Sequence, residues 1–425
     1  MPQARQKGDY MQEQFDIQNE EETRASSLNA EQNFPTEGSA VSDAAPAALT
    51  GENSDLPFEE TDVPDIDAQK LQKKEEAREK LRFAANRIGW ATTVLMAVWM
   101  GMIFCVSGFL GVLEIIGEAG LLRFSAEAFY NRYALIINEL TLAVGIAVAV
   151  AILDSVRRVE LNREKVSVGR FMVILLMCFG AGYVGSMIGT RILSFWNLFT
   201  GNSAGDEIVT LLSDVNPLIM LVSVGILAPI LEELFFRKFL TERLRMFGET
   251  TAILFSAFLF ALFHQSAEQI LYAFAVGTLL GYFYCRSGNY WLTVLLHAIF
   301  NIVSGVIPML FLPKINEFLI KMQETFGLTS EALENVDGLE LLKMMMPLLS
   351  EYGLVLSLYM LYALIVFAVN IAGVVLLIVR LKKFKARKGE YCLSFGESMK
   401  TVFKTPGLIV CTVVLGILTF TSLFS

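Results

Sequence analysis

Runs of about 20 apolar residues recur along this chain of 425 residues, and they restrict its fold more than any other feature. A bilayer core roughly 30 Å thick takes about 20 helical residues to cross. Within it every backbone N–H and C=O must be satisfied inside the protein, which leaves helices or closed barrels. Nine runs are legible, at about 88–116, 133–153, 171–192, 217–236, 250–266, 269–285, 290–312, 355–379 and 405–424. The expected fold is therefore all-α, a polytopic membrane bundle of about nine transmembrane helices. With 54% hydrophobic and 18% charged residues, the chain is unlike a soluble domain, which is about a quarter charged.

The polar residues divide the rest. Residues 1–69 hold 16 Asp/Glu against Arg5, Lys7 and Arg24, too little apolar surface to offset ordering entropy. They are expected to be a disordered acidic tail, and no apolar signal region lies near Met1. Residues 70–87 carry seven Lys/Arg and are expected as a basic juxtamembrane helix. Then follow N-terminal transmembrane helices over 88–200, a core over 201–312, an extracytoplasmic amphipathic segment over 313–354, and C-terminal transmembrane helices over 355–425. The 313–354 segment has Phe318, Leu319 and Met322, then Leu341, Leu342 and Met345, at helical spacing, and suits either a surface lid or a solvated connector.

If the N-terminus is cytoplasmic, the inner loops collect the cations: Arg157, Arg158, Arg163, Lys165 and Arg170; Arg237, Lys238, Arg243 and Arg245; Arg286; and six more over 380–388. That is the positive-inside pattern, and it predicts a multi-pass protein of the cell membrane. Gly185–Gly189 and Gly277–Gly281 read as close helix-packing pairs. The cysteines show no metal or disulfide spacing.

Ionisable groups inside apolar runs are functional suspects, because each costs several kcal/mol to bury in a bilayer. Three places stand out: Glu232-Glu233 followed by Arg237, Phe260 followed by His264, and His297 followed by Asn301. His264 and His297 are the two histidines of the whole chain, and both lie in apolar helices. Singly, each place reads as a packed polar residue; together, on separate helices, they suggest one site. His297 and Asn301 share a helix face, as do Glu233 and Arg237, which leaves Glu232 about 100° round the helix. Rise arithmetic puts His264 deepest, so a tilt or a re-entrant end is needed to bring the three together. Pro229, just before the acidic pair, is expected to free a backbone carbonyl one turn earlier.

A carboxylate and an imidazole can hold and deprotonate a water, and a second imidazole with an amide can donate to a tetrahedral oxyanion. A zinc ion on Glu232, His264 and His297 is the other arrangement these residues allow, without the H-E-x-x-H signature. Metal and metal-free mechanisms both stay open.

These three motifs resemble the CPBP family, the membrane proteins related to the CAAX prenyl endopeptidase and to bacteriocin-processing and immunity proteins. The resemblance covers roughly 215–305, including the Gly277–Gly281 helix and the Ser287–Trp291 turn. It implies that 201–312 is a catalytic core performing intramembrane peptide-bond hydrolysis. In that reading Glu232 and His264 activate water, His297 and Asn301 form the oxyanion pocket, and Glu233 and Arg237 support them. The expected partners are membrane lipid and a membrane-associated, prenylated or leader-peptide substrate, with no nucleic acid. Two alternatives stand beside it: a non-catalytic immunity or scaffold protein of the same fold, and a transporter using midplane Glu and His as a proton relay.

Overall fold

A computed structural model of the chain describes residues 66–119, 125–201, 215–326, 338–391 and 393–424. The acidic tail, up to residue 65, lies outside the described residues. Every regular element among the described residues is helical. They are α1 (Ile66–Glu118), α2 (Ala126–Leu153), α3 (Val168–Thr200), α4 (Pro217–Phe247), α5 (Glu249–Phe263), α6 (Ile270–Ser287) and α7 (Tyr290–Asn301). After α7, a wide turn (Ile302–Val306) runs straight into α8 (Ile307–Phe326), followed by α9 (Gly338–Arg380), α10 (Phe395–Val402) and α11 (Pro406–Thr421).

Each of the nine apolar runs is helical, but six helices, or seven with the bent α10–α11 pair, are long and apolar enough to cross a membrane. The count of nine is not reached because α5 has 15 residues, about 22 Å of rise, short of the hydrocarbon core. α6 has 18 residues and ends on Arg286 and Ser287, so it too falls outside that set. α5 and α6 form a short hairpin.

The basic stretch 70–87 does not stand apart from the first span. It opens the 53-residue α1, whose first residue is Ile66. Likewise, 313–326 continues α8 and 338–354 begins α9, while 327–337 lies outside the described residues. These described parts are extensions of membrane helices, held to each other by Lys321–Glu351 at 2.9 Å and by Tyr352, which is 1% exposed.

The apolar residues divide between two cores and the outside. One core joins α1, α2, α4, α5 and α11; the other joins α3, α6 and α7. The outer face of α9 is left bare: its most apolar 18-residue stretch is 6% buried, with Leu354, Leu361, Leu364 and Ile378 exposed. In water such a surface would be untenable, whereas lipid covers it. Helices approach closely where glycine permits. A Cβ on Gly185 or Gly189 would strike Tyr272 and Glu268 at the start of the hairpin's second arm, and one on Gly180 would strike the backbone of Gly373 in α9.

The basic loops gather on one face. Arg78 of α1 bonds Glu397 at 3.0 Å, Arg157 bonds Glu390 at 3.1 Å, and Arg387 bonds Glu164 at 3.2 Å. Glu249, 1% exposed, accepts from Arg286 and from the Arg387 amide, both at 2.7 Å. The loops after α2, α4, α6 and α9 thus share a side with the start of α1.

Candidate active site

Pro229 sets the geometry of the central helix. It lacks an N–H and its ring crowds the preceding turn, so a regular α-helix cannot pass through it. α4 instead widens to π-turns over Leu221–Leu227 and again over Leu234–Thr241, on either side of Ala228–Glu233. Wide turns of this kind cluster at functional sites. The carbonyl of Val224, five residues before Pro229 and so its partner in the wide register, is left to accept from Asn301 Nδ2 at 3.1 Å. The Ile230 carbonyl accepts from Tyr290 OH at 2.7 Å. Two backbone groups of α4 thereby fix the position of α7.

Along α4, Glu233 turns inward. It and Arg237 are both 0% exposed and pair at 3.0 Å, and Arg237 also donates to Ser256 Oγ at 3.3 Å. Ser256 in turn donates to the Phe236 carbonyl at 2.8 Å. A buried ion pair of this kind is costly unless well satisfied. Here it holds His297, whose Nδ1 lies 3.0 Å from the other Glu233 oxygen. A carboxylate paired with arginine accepts, so Nδ1 carries the hydrogen and Nε2 is the nitrogen left for the cavity. Nε2 lies 3.7 Å from Glu232 Oε2, an ion-pair separation too long for a hydrogen bond.

His264 is the first residue beyond α5, which ends because Gln265 adopts φ +51, a left-handed conformation uncommon for a non-glycine residue. A turn over 264–269 follows and leads into α6. His264 Nδ1 donates to the Phe260 carbonyl at 2.8 Å, since a carbonyl only accepts. The remaining nitrogen of the neutral ring, Nε2, is then an acceptor. Phe260 meets both imidazoles edge-to-face, at 4.7 Å from His264 and 5.8 Å from His297, and carries the Arg237 guanidinium 4.9 Å from its ring centre.

Glu232, Phe260, His264, His297 and Asn301 all line one cavity of about 740 Å³. Glu233 and Arg237 stand behind it. Among the described residues no three His, Cys, Asp or Glu side chains lie close enough to hold one metal ion, so the residues as placed do not fit a zinc centre.

Sequence reasoning missed the far wall. Tyr359, Tyr362, Val366 and Asn370 of α9 face the same cavity, and Tyr362 OH bonds the Val303 carbonyl in the wide turn. Tyr359, Tyr362 and Asn370 were a signal, polar groups at helical spacing within an apolar run. Also missed was Glu139 of α2, 7% exposed, with one oxygen accepting from Asn138 at 3.2 Å and the other buried without a hydrogen bond. A carboxylate inside the 133–153 run was visible in the sequence, but no partner motif drew attention to it.

Residues 214–303 match the family model described as Type II CAAX prenyl endopeptidase Rce1-like. No curated protein and no solved structure matches the chain. The matched segment spans α4, the α5–α6 hairpin and α7, and so holds every polar side chain that α4, α5 and α7 turn into the cavity. Over this segment, about a fifth of its length, the chain is similar to the type II CAAX prenyl endopeptidases.

Proposed function

We propose that this protein is an intramembrane endopeptidase that hydrolyses a peptide bond of a membrane-associated substrate, such as a prenylated or leader peptide. One observation carries the reading: Glu232, His264, His297 and Asn301, from three different helices, share a single cavity. Glu232 takes a proton from a water that His264 Nε2 orients, and the hydroxide adds to the scissile carbonyl carbon. The oxyanion accepts from an N–H of Asn301 Nδ2 and from a doubly protonated His297 ring that lies between Glu233 and Glu232 and leaves the cycle unchanged. Collapse of the intermediate expels the amine, which takes the proton held on Glu232. The protein bundle excludes bulk water, so these fixed groups act in a low dielectric. Phe179, Phe300 and Phe367 give the cavity an apolar side for the membrane-embedded part of the substrate.

The basic face supports a cytoplasmic N-terminus, since positive charge is retained inside. The test compares the membrane proteomes of cells carrying wild type or Glu232→Gln. An uncut peptide that accumulates only in the variant is expected. Identical peptide profiles, with the variant folded and inserted at wild-type level, would overturn the protease reading.

A further inference from the structure

A second cavity, of about 660 Å³, opens on the basic face where α3 begins, α6 ends and α9 ends. It contains none of the residues given a role in hydrolysis. Arg170, Arg380, Lys383 and Lys385 line it, and among the described residues none of these four side chains has an ion-pair or hydrogen-bond partner. Two further cations at its rim are already neutralised: Arg286 by Glu249 at 2.7 Å and Arg387 by Glu164 at 3.2 Å. These four exposed positive charges around one concavity add to a common field that favours an anion.

Two more features define that anion. The pocket contains the N-terminus of the 33-residue α3, where Ser167 caps only the Arg170 amide, at 3.3 Å, and the helix dipole adds to the positive field. Its floor is apolar: Ile174, Met177 and Phe283 are 7%, 0% and 1% exposed. That floor adjoins lipid-facing surface, because Met172 on α3 and Ile378 and Val379 on α9 are 44%, 71% and 63% exposed. A small inorganic anion would leave the apolar floor unused. A ligand with a phosphate at one end and hydrocarbon at the other satisfies both halves.

We infer that this pocket binds an anionic membrane phospholipid, its phosphate among Arg170, Arg380, Lys383 and Lys385 and its acyl chains running along α3 and α9. Basic pockets between membrane helices hold such headgroups in this way. The lipid would tie the end of α9 to α3 and α6.

The test uses the full-length protein in phosphatidylcholine nanodiscs with increasing phosphatidylglycerol, with retained lipid counted by native mass spectrometry. One saturable phosphatidylglycerol is expected. The variant Arg170→Gln/Arg380→Gln/Lys383→Gln should bind it about a hundredfold more weakly, at roughly fivefold per cation removed. Its melting temperature in pure phosphatidylcholine should match wild type; should the triple variant fail to fold, the single reversal Lys383→Glu takes its place. A charge-matched control, Lys73→Gln/Arg82→Gln/Arg87→Gln, should bind as wild type does, and millimolar inorganic phosphate should not displace the lipid. Three results would each overturn the inference: undiminished retention in the pocket variant, equal loss in the control, or displacement by free phosphate.

Discussion

Asn301 has two places in the site: its Nδ2 holds the Val224 carbonyl at 3.1 Å, and its side chain lines the cavity, where the proposed mechanism gives it the oxyanion. Asn301→Ala should therefore lower kcat about 10²- to 10³-fold, the usual cost of one oxyanion donor. It should reduce stability by only about 1 kcal/mol, for one hydrogen bond. Single-turnover cleavage together with thermal unfolding separates the two effects. Arg237 is the opposite case, remote from substrate but fully buried against Glu233. Arg237→Ala strands a buried carboxylate and should destabilise by about 3–5 kcal/mol. The double variant Glu233→Gln/Arg237→Met should recover much of that stability but not cleavage, because His297 then lacks its ionic partner. Recovery of both in denaturant unfolding and peptide-cleavage assays would mean the pair is merely structural.

The geometry of the proposed site depends on helices that depart from regularity. α4 needs its wide turns because Pro229 cannot continue an α-register, and α5 must stop at Phe263 for His264 to enter the cavity. A sequence-level reading located Pro229 as a point where a carbonyl would be freed. It could not say that Asn301, 77 residues from Val224, would take that carbonyl. Where α3 and α9 cross, the contact is backbone to backbone at Gly180 and Gly373. Because α9 supplies Tyr359, Tyr362 and Asn370 to the cavity wall, forcing these helices apart should be felt at the proposed site. Gly373→Leu should cost about 1–3 kcal/mol by overpacking and should reduce cleavage. Gly416→Leu, with nothing within 4 Å of its would-be Cβ, should leave both unchanged. Cleavage unaffected by Gly373→Leu in folded protein would remove α9 from the substrate wall.

At the scale of the whole bundle, the two cores are clamped on the basic face by a few buried acids. Glu249 is 1% exposed yet joins the start of α5 to the end of α6 and to the segment after α9. Glu249→Ala should lower stability by about 3 kcal/mol, because Arg286 and Arg245 lose the charge they surround. Hydrogen exchange should speed at the Glu249, Arg387 and Tyr391 amides, whose acceptors lie in this joint. The cavity lies more than a helical turn away, so the folded fraction should retain cleavage. An unchanged exchange pattern would show that the face is held elsewhere.

The amino-acid sequence alone determined the class of fold, because only helices satisfy their own backbone over nine apolar runs. It also singled out the candidate site residues, because two histidines and a Glu-Glu pair are costly in hydrocarbon and conspicuous against it. Helical spacing likewise separated Glu232 from the Glu233–Arg237 pair. Tertiary structure alone decided that the fifth and sixth runs form a short hairpin rather than two full spans. It also decided that α9 lines the far wall of the cavity and that Glu139 of α2 is buried. The physical reason is range. Burial cost and helical periodicity act within one segment and are written in the local sequence. Which helix packs on which, and how a freed carbonyl finds a donor, depends on contacts between residues far apart in the chain.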